Sequence, residues 1–171
     1  IIFKNNSLDV IYINENPPGR TPTVNMNTSN NPEIIKDQKT NTIWKLWNFS
    51  NSMIPANLSR SVAMESNGVI WYCTDNGLVR ITNDDRWEIF TGMNVQALSG
   101  KNRNPWTTGL AIDKADNVWV ESSDHVVKFD GKQWIKFDTG NSPLKLVRKI
   151  CPDKNGIVWF CTFKSIIKYD G

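Results

Sequence analysis

The stretch that decides the fold is Asp153-Lys154-Asn155-Gly156-Ile157-Val158-Trp159-Phe160-Cys161-Thr162, followed by Ser165-Ile166-Ile167-Lys168-Tyr169-Asp170-Gly171. A polar turn leads into a short run of Val, Ile and aromatic residues, and a second such run follows after a brief break. Asn-Gly supplies the positive φ angles that a tight hairpin demands. Two earlier stretches align with this one. The first is Gly68-Val69-Ile70-Trp71-Tyr72-Cys73-Thr74, then Gly77-Leu78-Val79-Arg80-Ile81, then Trp87-Glu88-Ile89-Phe90. The second is Asn117-Val118-Trp119-Val120-Glu121-Ser122, then His125-Val126-Val127-Lys128-Phe129-Asp130-Gly131, then Trp134-Ile135-Lys136-Phe137.

The spacing supports this alignment. Trp71, Trp119 and Trp159 are 48 and 40 residues apart, and Trp44, Trp87 and Trp134 are 43 and 47 apart. Periods of about 40 to 50 residues fit propeller blades or helical arrays. Short segments rich in β-branched and aromatic residues, bounded by Asn, Asp and Gly, fit strands and not helices. Each repeat reads as four strands. In the last repeat, strand a spans 147–151, b 157–161 and c 166–169. Asn51-Ser52-Met53-Ile54-Pro55 and Asn141-Ser142-Pro143-Leu144 follow the Trp44 and Trp134 strands and read as one recurring connector. The connector over 91–107 reads as different, with an insertion holding Lys101, Arg103 and Trp106.

The expected fold is all-β, a β-propeller of four-stranded antiparallel blades, partial, with about three clear blades and a degenerate N-terminal one. Residues 1–41 read as an N-terminal extension or degenerate blade. It has a strand at 8–13, a long Asn- and Pro-rich loop at 14–32, and Ile34-Ile35-Lys36 echoing Ile166-Ile167-Lys168. Residues 42–171 read as blades, the last incomplete. Three repeats cannot close a ring, so further blades are expected, from a longer chain or another subunit.

Composition narrows the function. The chain has 171 residues, 39% hydrophobic and 22% charged, as suits a folded domain. No run of about eighteen apolar residues is present, so no membrane-spanning helix is expected, and Ile1-Ile2-Phe3-Lys4 lacks the charged region and apolar core expected of an intact signal peptide. The net charge of +3 comes from interspersed signs, which disfavours nucleic acid. There is one His, and Cys73, Cys151 and Cys161 show no metal-binding spacing. Cys73 and Cys161, at the same place in blades two apart, are expected to be buried. The turn at Asp153 lacks the ligand ladder of a calcium loop. Glu65, Asp113, Asp116 and Asp153 fall in turns, where such side chains bond the local backbone. No metal, cofactor or catalytic residue is expected.

Asp153, Gly156, Trp159, Thr162, Tyr169, Asp170 and Gly171 match the pattern of the two-component regulator propeller repeat, as do Gly77, Leu78, Asp130, Gly131, Trp134, Asn141 and Ser142. The chain resembles that family from about Trp44 to Gly171. The resemblance implies a propeller of the kind found in extracytoplasmic sensor halves of hybrid two-component systems that detect glycans, and in secreted or lipid-anchored propellers. It also implies a periplasmic or extracellular location. Departures are Cys73, Glu121 and Cys161 at a glycine of the hairpin, and His125 and Ser165 at the glycine opening strand c. Pro152 to Phe160 is also similar to a stretch in virginiamycin B lyases. Those enzymes rely on a His and acidic metal site, whereas the one His here holds a glycine's place.

Antiparallel strands reverse direction, so the d-to-a connectors and b-to-c turns emerge on one end of the ring. That end collects the candidate ligand- or partner-binding residues Lys101, Arg103, Trp106, Asp75, Asn76, Asp124, His125, Phe163 and Lys164. The expected function is a non-catalytic binding module for a carbohydrate or protein partner; the alternative is a structural subunit of an envelope or surface assembly. The recurring tryptophans are expected to pack between blades, while Trp106, outside the period, is the candidate exposed aromatic.

Overall fold

A computed structural model describes residues 30–100, 107–122 and 124–171. The expected strand at 8–13 lies outside the described residues. The described strands are β1 (Glu33–Lys36), β2 (Ile43–Leu46), β3 (Ser59–Met64), β4 (Ile70–Thr74), β5 (Gly77–Ile81), β6 (Trp87–Phe90), β7 (Thr107–Ile112), β8 (Val118–Ser122), β9 (His125–Phe129), β10 (Trp134–Phe137), β11 (Val147–Pro152), β12 (Val158–Thr162) and β13 (Ile166–Tyr169). They form a β1-β2 pair, a four-stranded sheet β3-β4-β5-β6 (blade I), a four-stranded sheet β7-β8-β9-β10 (blade II) and a three-stranded sheet β11-β12-β13 (blade III). All pairings are antiparallel. The innermost strands β3, β7 and β11 lie side by side. The result is a segment of a propeller.

Each blade is tied together at its a–b turn by one motif. Six residues after a carboxylate comes a tryptophan whose indole N–H donates back to it: Trp71 to Glu65 at 2.6 Å, Trp119 to Asp113 at 2.8 Å and Trp159 to Asp153 at 3.3 Å. The other oxygen of Asp113 accepts the backbone N–H groups of Ala115 and Asn117, and that of Asp153 accepts those of Asn155 and Ile157. The carboxylate therefore shapes the turn and aims the ring. The rings then pack between blades. Trp71 stacks on Phe90 at 5.4 Å and meets Phe129 and Trp134 of blade II at 5.7 and 6.1 Å. Trp119 stacks on Phe137 at 5.6 Å and meets Phe160 and Tyr169 of blade III at 5.4 and 5.2 Å. Arg80 and Lys128, at matching places on the third strands, cover Trp71 and Trp119 with their cations.

The outer strands interlock as well. Their first aromatic docks on the preceding blade and their fourth receives the next. Trp47 of the first pair meets Trp87 at 6.3 Å, and Phe90 meets Trp134 at 5.3 Å. Trp71 and Trp119 are fully buried, as expected. Trp159 is only half-buried, and Cys161 and Ile166 on the same face are exposed, because no sheet covers that face among the described residues. The expectation of buried thiols thus holds for Cys73 and is corrected for Cys161, which is exposed, as is Cys151.

A further expectation is revised. In the first pair Trp44 lies opposite Ile35, as Trp134 lies opposite Phe129 and Trp87 opposite Ile81. The echo of Ile166-Ile167-Lys168 in Ile34-Ile35-Lys36 is therefore two residues out of register. A shift of two keeps every side chain on its face, so the apolar pattern does not reveal it.

The middle connector is less different than its sequence suggests. Asn51, Asn94 and Asn141 each donate from the side-chain amide to a carbonyl five residues back and accept an N–H three residues back. All three blade crossings begin with the same asparagine clamp.

Asp116 departs from the local bonding expected of turn carboxylates. It occupies, at φ 59°, the slot that Gly68 and Gly156 fill at 91° and 89°. From there it accepts the Ser66 hydroxyl at 2.5 Å and the Ser66 amide at 2.8 Å, clasping blade II to blade I.

Truncating Trp119 to Ala is expected to cost about 3–5 kcal/mol of unfolding free energy in a urea titration, since it empties an interblade site. Ser66, through its hydroxyl first and its amide second, holds the Asp116 carboxyl below its ordinary value. A depressed native value contributes stability that is present above the ordinary carboxylate range and is lost as pH falls through the native value. Asp116→Asn is expected to flatten that acid-side decline in melting temperature, leaving the profile above pH 6 or so parallel to the parent.

Candidate functional site

The end of the segment that carries the b–c turns and d–a connectors is built from contacts between them. Asp75 N–H donates to Leu58 C=O at 3.1 Å, and the Asn76 amide reaches Pro55 C=O at 3.5 Å. In blade I the third strand opens with Gly77 at φ 133°, where an added Cβ would lie 2.4 Å from the Phe90 carbonyl oxygen. No side chain fits there. In blade II the same position is His125. The chain preceding it carries a 3-10 turn at Gln96–Leu98, and His125 lies against that turn.

His125 is placed differently from the other candidate residues. Its side chain is fully buried. Nδ1 faces an Asp124 carboxylate oxygen at 2.8 Å and Nε2 faces the Ala97 carbonyl oxygen at 2.9 Å. Both ring nitrogens are engaged inside the protein, so His125 anchors the connector. Sequence reasoning missed this because the partner, Ala97, lies 28 residues away in an irregular segment.

The remaining candidates divide by position. Asp75, Asn76 and Asp124 are half-buried in their turns, and Phe163 and Lys164 are exposed. The Arg148 guanidinium lies over the Phe163 ring at 4.6 Å. Lys101, Arg103 and Trp106 lie outside the described residues. The described part of their connector forms one wall of an open groove of about 820 Å³, made by Asn94, Val95, Gln96, Ala97 and Ser99, with Phe90, Trp134 and Lys136 opposite. The Lys136 ammonium donates to Ser99 C=O at 3.3 Å across it.

Sequence reasoning also missed a set of residues at the inner rim. Each innermost strand carries a bulge after its first residue: between Ser59 and Ser61, Thr107 and Gly109, and Val147 and Lys149. A bulge re-aims the extra side chain. The extra residues are Arg60, Thr108 and Arg148, all exposed. The only sequence signal was their shared offset from the strand starts. Beside them lies Glu121, half-buried, whose carboxyl is raised by burial, against the lowering effect of Thr108, Arg148 and Lys149. Its side chain lies close over Gly109, where an added Cβ would meet Glu121 Oε2 at 2.7 Å. Cys73 sits behind this rim, its thiol pushed up to about 11 by burial, with Arg60, Glu121 and Asp75 acting on it electrostatically. No group of three or more His, Cys, Asp or Glu side chains is placed to hold a metal among the described residues. No helix there is long and apolar enough to cross a membrane.

No family model matches the chain, and no curated protein matches it. Solved structures do. The extracellular domain of a B. thetaiotaomicron protein described as a hybrid two-component system aligns with 22% identity and a TM-score of 0.60, over 74% of this chain and 17% of its own. A second such domain from B. thetaiotaomicron aligns with 15% identity and a TM-score of 0.60, over 83% of this chain and 19% of its own. Virginiamycin B lyase from Staphylococcus aureus aligns with 15% identity and a TM-score of 0.50, over 66% of this chain and 41% of its own. At these identities the likeness shows the propeller fold, which sensor domains and a lyase share. The chain spans less than a fifth of the length of the two extracellular domains.

The thiols provide a check on this end and on the open face of blade III. In the isolated 171-residue chain, Cys151 and Cys161 are expected to react promptly with a chromogenic disulfide reagent at pH 8, while Cys73 reacts only after unfolding. Three fast thiols would mean that the rim does not shield Cys73.

Proposed function

We propose that this chain is part of a larger extracytoplasmic β-propeller that acts as a non-catalytic binding module, recognising a glycan or a protein partner on the end that carries the d–a connectors and b–c turns. The observation that carries this reading is the contrast between the two ends. The opposite end is spent on structure, its turn carboxylates committed to indoles and backbone and Asp116 to Ser66. The connector end departs from the repeat at several points: a 3-10 turn, a buried histidine in a glycine slot, and exposed Phe163 and Lys164. Binding residues concentrate on loops held by a rigid scaffold.

Two features favour recognition over catalysis. The histidine that lyase chemistry would call on has both nitrogens occupied within the protein. The groove combines aromatic rings of Phe90 and Trp134 with the polar side chains of Asn94, Gln96 and Lys136, a composition suited to holding a polar ligand. The sensor reading is drawn from the B. thetaiotaomicron domains and includes their extracellular placement; it remains a proposal for this chain.

Calorimetric titration against a panel of oligosaccharides tests the reading. One panel member is expected to bind saturably, and Gln96→Ala and Phe163→Ala are expected to weaken it with the melting temperature nearly unchanged. Stable co-purification with a large envelope assembly, with no saccharide response, would favour a structural subunit instead.

A further inference from the structure

The inner rim of the connector end carries a combination of groups that the fold does not consume. Arg60 and Arg148 occupy matching bulge positions two blades apart, both exposed and neither in an ion pair among the described residues. Arg148 is pre-positioned by its stack on Phe163, itself 67% exposed, at 4.6 Å. Glu121 lies on blade II, between the two blades that carry these arginines, and Arg148 acts on it electrostatically. At the same rim Asp75 Oδ1 is buried and takes no hydrogen bond. A buried acceptor without a donor is costly unless a ligand or solvent supplies one.

We propose that this rim binds an acidic saccharide, a sugar chain bearing carboxylate groups. The proposal rests on the reading of this end as a recognition surface and names its ligand class. The guanidinium groups supply forked donors that match a carboxylate. The open face of Phe163 offers an apolar platform for a sugar ring. Asp75, half-buried in its turn at the same rim, offers its carboxylate to a sugar hydroxyl. An acidic peptide would satisfy the arginines equally but brings fewer hydroxyl donors for Asp75, so the saccharide is the better fit. Glu121 is the opposing element. It disfavours an anion that does not also reach both arginines, and so selects for charge spacing.

The probe is an oligogalacturonate of six units, titrated calorimetrically into the folded chain, with maltohexaose as neutral control and a short oligoglutamate as the peptide arm. Binding of the oligogalacturonate is expected to exceed that of maltohexaose and oligoglutamate, and to weaken as salt is raised. Arg148→Gln and Arg60→Gln are each expected to weaken it about tenfold or more. Glu121→Gln is expected to tighten it. Circular dichroism and melting temperature confirm that each variant folds. The proposal is overturned if oligogalacturonate binds no better than maltohexaose, if the arginine variants leave its affinity unchanged, or if oligoglutamate binds more tightly. If the neutral sugar binds and loses affinity in Gln96→Ala, the recognition reading stands and only the acidic-ligand inference fails. If neither a saccharide nor oligoglutamate binds, both fall.

Discussion

The bond from an indole N–H to a carboxylate six residues upstream is what the rest of this structure depends on. It is intrablade and short in sequence, yet it sets interblade geometry. In Asp113 one oxygen fixes the turn through two backbone amides while the other orients Trp119. The oriented ring then meets Phe160 and Tyr169 of the next blade. A buried indole needs an acceptor, and a buried aromatic pair contributes most when its orientation is held. One residue type at one offset thus converts a local turn into the docking angle between sheets. Glu65 likewise accepts the Trp71 indole, takes the Asn67 side-chain amide on its other oxygen in place of backbone amides, and adds an ion pair partner for Arg80, whose guanidinium also covers that ring.

This arrangement divides labour between the two ends. The end bearing the a–b turns is tied up by the motif, so substitution there strikes at packing. The other end is freed. Its connectors begin with the same asparagine clamp at Asn51, Asn94 and Asn141, then diverge. Strand bulges turn Arg60, Thr108 and Arg148 out of the sheets at the inner rim, where their side chains take no part in the interblade core. A rigid repeat with one end left out of the carboxylate–indole motif is the physical basis of the proposal that recognition sits there.

Much of the fold was legible in the sequence because its signals are local and periodic. Trp71, Trp119 and Trp159 at matching places, with Asn-Gly and Asp-Gly turns, led to the strands and their order. The offsets Glu65–Trp71, Asp113–Trp119 and Asp153–Trp159 were equally readable, as were Trp44–Asn51, Trp87–Asn94 and Trp134–Asn141, but their hydrogen bonds become evident only when the partners are seen together. What depends on non-local contact was not legible. The burial of His125 depends on Ala97, and the clasp of Asp116 on Ser66, fifty residues away. The exposure of Cys161 depends on which sheet covers blade III. The inner-rim arginines were hidden because a bulge breaks the strict alternation by which strand residues are assigned to faces.

Hydrogen exchange of the indole N–H groups, followed by nitrogen-resolved NMR, tests the central coupling most directly. The N–H groups of Trp71 and Trp119 are expected to be strongly protected and to lose protection specifically in Glu65→Gln and Asp113→Asn, respectively. Exchange of both at the rate of a free indole in the parent protein would contradict the account.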